Sequence, residues 1–118
     1  RKFGDDSLLD LAKEKDVGVI GIKPFAAGTT FGLKPQELQG SVDPRAHVLI
    51  KEMLQEKRVS AVIPGVNAPE QLDENVKGSY ERDTPATAEE KTALRQCLEN
   101  YRNHLAPEYR WLRHWEIV

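Results

Sequence analysis

Six consecutive residues, Val17 to Ile22 (VGVIGI), carry no polar side chain and end directly on Lys23 and Pro24. A half-exposed strand alternates apolar and polar residues. A strand covered on both faces, as in parallel sheets, reads as an unbroken apolar run. The segment is therefore expected to be a wholly buried strand. A second short run, Val59 to Gly65 (VSAVIPG), is rich in β-branched residues and stops at Pro-Gly, which predicts another strand.

Helices are expected between and around these strands. Asp5, Asp6 and Ser7 offer caps to a helix with Leu8, Leu11 and Ala12 at helical spacing. Asp43 is expected to cap a second helix with Pro44 in its first turn and Leu49, Ile50, Met53 and Leu54 as its stripe. Asn67, Pro69 and Glu70 suggest a capping box opening a third, ending near Val76 or Lys77 with Gly78 as its stop. Thr87 and Glu90 form a further capping box before a long helix faced by Leu94, Cys97, Leu98, Tyr101 and Leu105, ended by Pro107. Trp111 and Trp115 are spaced to share one face of a short terminal helix, and residues 26–42 read as a mostly irregular loop.

Strands alternating with helices imply parallel, right-handed crossovers and an α/β fold. Two strands make too small a sheet to stand alone, so the pattern predicts a slice of a larger sheet or barrel. Arg1 in place of a methionine points the same way. In such folds ligands gather at the carboxyl ends of strands. There Lys23 brings positive charge, Gly65 permits close backbone approach, and the helix opening near Asn67 presents N–H groups, a combination suited to phosphate. The plainer alternative, a solvated rim lysine beside two ordinary turns, stands next to it.

With 118 residues, 39% hydrophobic, and a formal charge of −2, the composition is that of one globular domain. It supplies no electrostatic reason to expect nucleic acid or anionic membrane as partner. No apolar run is long enough to span a bilayer. Cys97 is the only cysteine, which excludes an intrachain disulfide and fits a reducing, cytoplasmic setting. His47, His104 and His114 show no metal-ligand spacing with one another or with Cys97. Cys97 reads as core, and Tyr80, Tyr101 and Tyr109 as packing or surface residues.

The segments GVIGIKPFAAG (18–28), VSAVIPGVNAPEQLDENV (59–76) and TPATAEEKTALRQC (84–97), in that order, resemble the C-terminal part of the aldo-keto reductases. These are (β/α)8-barrel oxidoreductases that reduce aldehydes or ketones with NADPH or NADH. The resemblance runs from the helix before the seventh barrel strand to the C-terminal tail, with residues 1–83 as barrel and 84–118 as terminal helix and tail. It implies that Lys23, Pro24, Phe25 and Ala26 hold the cofactor pyrophosphate, with Ile22 where many members stack a tyrosine on the nicotinamide. Gly65, Val66 and Asn67 would contact the adenosine ribose or its phosphate. Gln71 falls where NADPH-specific members often carry arginine, and Glu74 and Asn75 would hydrogen-bond the adenine. The family's catalytic tyrosine, lysine, aspartate and histidine belong to the first half of the barrel. This chain by itself is expected to be inactive, and its open strand edges to favour self-association. A rival expectation is a non-catalytic nucleotide-binding or regulatory module of the same fold.

Overall fold

A computed structural model describes residues 2–3, 6–38, 40–104 and 107–108 of the chain. The fold is mixed α/β and mostly helical. A two-residue antiparallel pair, β1 (Lys2–Phe3) with β2 (Asp6–Ser7), opens it, and this pair has no clear sequence signal. Helix α1 (Leu8–Glu14) starts at Ser7, whose hydroxyl accepts the Asp10 N–H, as the cap residues lead one to expect. Strand β3 (Ile20–Ile22) and strand β4 (Ala61–Ile63) pair in parallel, with Ile20 beside Ala61, Gly21 beside Val62 and Ile22 beside Ile63. Between them lie two 3₁₀ segments, Ala26–Phe31 and Pro35–Leu38, and helix α2 (Ala46–Gln55). Helices α3 (Pro69–Tyr80) and α4 (Ala88–Asn103) follow.

The core is helical. Phe31, Ala46, Leu49 and Cys97 are buried together, with Phe25, Leu33 and Leu94 packed against them. Cys97 is therefore a core residue, as expected, and burial raises its thiol pKa. The Thr87–Glu90 capping box is formed as read from the sequence.

Several expectations are corrected. The strand expected over Val17–Ile22 is only three residues long and is not buried: Ile20 is 59% and Ile22 67% exposed. The reason is that the sheet has two strands, and no layer of described residues covers the face shared by Ile20, Ile22 and Ile63. The loop over 26–42 contains helical turns rather than mostly irregular backbone. Asp43 does not cap α2; its Oδ1 accepts the N–H of Arg45 two residues on, and Arg45 occupies the cap position without a side-chain capping bond.

Nor does the capping box at Asn67 and Glu70 form. Ala68 is the cap residue of α3, while the Asn67 amide oxygen accepts the Gly40 N–H. Gly78 does not end α3, which runs on to Tyr80. It is buried inside the helix, where a Cβ would lie 2.5 Å from the His47 carbonyl oxygen and 2.9 Å from the Ile50 Cβ. Its lack of a side chain serves a close helix–helix approach, not a stop. Leu105, Trp111, Trp115 and Tyr109 lie outside the described residues.

Candidate functional site

Because β3 and β4 are adjacent and parallel, their carboxyl ends emerge side by side, with Lys23 following Ile22 and Pro64 following Ile63. Lys23 leaves the strand with φ 51°, and Ala26 and Ala27 follow at 47° and 54°. Left-handed backbone at residues other than glycine is uncommon, and three examples within five residues mark a loop held in a strained shape by its surroundings. What fixes it is visible. Pro24 is buried. Phe25 stacks on Phe31 at 5.2 Å between ring centroids. The turn is closed by the Ala26 N–H to the Lys23 carbonyl at 3.0 Å. An abrupt reversal is thus what ends the strand at the lysine.

Two concavities share this edge. An open cleft of about 430 Å³ is lined by Lys23, Pro24, Phe25 and Gly28 on one side and by Gly65, Val66 and Asn67 on the other. Lys23 is the only charged side chain among the described residues lining it. A smaller cavity of about 90 Å³ continues behind Phe25, Gly65 and Asn67 to Gln71, Glu74 and Asn75, with Ser41 and Asp43 on its far wall. The structure thus brings Lys23, Pro24, Phe25, Gly65, Val66, Asn67, Gln71, Glu74 and Asn75 to one continuous surface. Ile22 and Ala26 line neither concavity; with Leu94 and Tyr101 they line a neighbouring hollow toward α4, to which Lys23 and Pro24 also contribute.

Most polar groups at this surface are already engaged. Gln71 accepts the Asn67 N–H at 2.9 Å and donates from Nε2 to the Ser41 carbonyl at 2.7 Å, so it ties the loop at 40–41 to the start of α3. Glu74 pairs with His47 Nδ1. Asp43 is bound by Arg45 through Nε at 2.9 Å and Nη2 at 2.7 Å. Burial pushes the Asp43 carboxyl up, yet the side-chain and backbone hydrogen bonds from Arg45 outweigh it and hold the group below its ordinary value. Arg45 also lies over the Phe31 ring and donates to the Phe31 carbonyl at 3.0 Å, so its charge is spent on structure.

Asn75 is the exception. It is 6% exposed, it lines the small cavity, and its Nδ2 is the one buried side-chain polar atom among the described residues without a hydrogen-bond partner. An unmet buried amide donor costs about 1–3 kcal/mol, so such an atom calls for an explanation. The surface thus carries one cation, Lys23, in its open cleft and a buried amide, Asn75, in the lining of its small cavity. Sequence reasoning missed the strained turn and the roles of Ser41 and Asp43, since no local pattern signals that a loop will fold back over α3.

Comparison with known proteins finds no matching family model, no matching curated protein and no matching solved structure.

Proposed function

We propose that this chain is the C-terminal, cofactor-binding part of an NAD(P)H-dependent aldo-keto reductase that reduces aldehydes or ketones, contributing two neighbouring strands of a (β/α)8 barrel. The observation that carries this reading is Asn75, buried with its Nδ2 unpartnered and lining the small cavity, near a cleft in which Lys23 is the only charged lining residue among the described residues. The order of these groups, cation outside and amide within, suits a dinucleotide with its pyrophosphate at the two strand ends and its adenine deeper. Lys23 and the backbone of Pro24 to Ala26 would hold the pyrophosphate of NADP(H) or NAD(H). Asn75 would donate to a ring nitrogen of the base, and Gly65, Val66 and Asn67 would flank the ribose.

The cofactor supplies the hydride, and this chain's residues bind and orient it. The proton donor and the carbonyl-orienting groups implied by the resemblance belong to the other half of the barrel, so turnover requires that half. Exposure of Ile20, Ile22 and Ile63 fits a barrel interior in need of its remaining strands.

Fluorescence titration of NADPH and NADH onto the barrel completed by its other half tests the reading. Asn75→Ala should weaken both by the worth of one hydrogen bond, about 0.5–1.5 kcal/mol, and leave the chemical step alone. Unchanged affinity would refute the assignment.

A further inference from the structure

On the side of the molecule formed by α2, α3 and α4, one histidine meets three carboxylates. His47, in the first turn of α2, is half-buried and pairs through Nδ1 with Glu74 of α3. Its other nitrogen, Nε2, faces Glu81 at 3.9 Å, which is too long for a hydrogen bond. Glu90, in the first turn of α4, completes the group, and ligand atoms of His47, Glu81 and Glu90 all lie within 4.8 Å of one another.

We propose that His47, Glu81 and Glu90 form a binding site for a divalent transition-metal ion of the zinc class, with Glu74 as the outer partner that aims the imidazole. The site does not rest on the cofactor reading, although Glu74 also lines the small cavity.

The arrangement has the parts such a site needs. A ligating histidine characteristically gives its second ring nitrogen to a carboxylate, which fixes its tautomer and orientation; Glu74 holds Nδ1 in that way and leaves Nε2 toward the other two carboxylates. Imidazole nitrogen and carboxylate oxygen are both ligand types that zinc accepts, and three protein ligands leave its fourth position open. Glu90 is held in place by Lys51 Nζ at 2.8 Å and by the Thr87 N–H at 2.9 Å, and both donors use Oε2, leaving Oε1 for a ligand. Three carboxylates against one ammonium leave an excess of negative charge that one divalent ion cancels.

The geometry requires modest closing. Metal–ligand bonds of about 2.0–2.2 Å place tetrahedral ligands about 3.4 Å apart. Glu81, whose side chain is 36% exposed at the end of α3, has the freedom to move in. The ligands come from three helices at positions 47, 81 and 90, so no local motif announces them.

Calorimetric titration of Zn²⁺ into the purified chain, with Co²⁺ absorption as the geometric readout, decides the matter. One equivalent should bind, and Co²⁺ should give the intense visible bands of a tetrahedral site. Glu81→Gln should lower Zn²⁺ affinity more than tenfold, and Glu74→Gln by roughly 10- to 100-fold, while His104→Ala should change nothing. Glu81→Gln keeps the test open should His47→Gln lose the fold. Zn²⁺ affinity unchanged in Glu81→Gln, absence of binding by the native chain, or loss of binding in His104→Ala would each overturn the proposal.

Discussion

Gly78 of α3 rests on the His47 carbonyl of α2 so closely that a Cβ would meet that oxygen at 2.5 Å. In an open helix, Gly→Ala gains about 1 kcal/mol. Here the oxygen belongs to helical backbone and cannot step aside cheaply, so overpacking wins. Gly78→Ala should destabilise the fold by about 1–3 kcal/mol, read as a lower urea midpoint at unchanged slope. A variant as stable as the native chain would show that α2 and α3 are farther apart than described.

The Lys51–Glu90 pair makes a pH prediction. The hydrogen bond from Lys51, then that from the Thr87 N–H, lowers the Glu90 pKa below its ordinary 4.5. A carboxyl depressed in the folded state adds stability that is fully present above the unfolded value. That contribution is lost as pH falls from about 4.5 through the folded value. Glu90→Gln should therefore flatten the acid limb of a stability–pH profile while costing stability at neutral pH. An identical acid limb in native and variant chains would refute it.

A third prediction concerns the phosphate that distinguishes the two cofactors. Neither Gly65 nor Gln71 carries charge, and Arg45 is bound to Asp43, so under the function proposed above a reductase containing this chain should discriminate NADPH from NADH only modestly. Gln71→Arg should shift preference toward NADPH through a charge-assisted contact. It also removes the tie from Gln71 to the Ser41 carbonyl, so NADH affinity is expected to fall at the same time. Steady-state comparison of both cofactors checks this, and a strong native preference for NADPH would place the discriminating residue elsewhere.

The exposed isoleucines yield the fourth. Ile22 and Ile63 stand side by side at 67% and 57% exposure on a sheet whose two outer edges pair with no strand among the described residues. The chain alone should associate through that face, and Ile22→Lys should shift its sedimentation toward monomer. No carbonyl reduction should accompany either form. A native monomer across concentrations, or turnover by the purified chain, would contradict this.

Where the sequence was readable, the determinants were local. The Ser7 and Thr87 caps and the parallel pairing of β3 with β4 followed from short patterns, as did the burial of Cys97. The misreadings share a cause. Asp43 and Asn67 look like caps, but each gives its oxygen elsewhere: Asp43 to Arg45, and Asn67 to Gly40, twenty-seven residues away. Gly78 looks like a stop until a second helix presses against it. At the candidate site, the strand ends and their glycine were legible, whereas the left-handed turn at Lys23 and the loop tied by Gln71 depend on contacts between distant segments.

Asn100 of α4 donates from Nδ2 to the carbonyl of Thr30 at 3.3 Å, and Cys97, one turn earlier, shares the core with Phe31. The strained turn after β3 is thus braced by residues made some seventy positions later. During synthesis, Lys23 to Phe31 leave the ribosome long before their support exists. Contacts of such long sequence separation are paid for in loop-closure entropy and form slowly. The mouth of the cleft is consequently expected to be among the last parts of the molecule to acquire its shape, and undocking of α4 should loosen it.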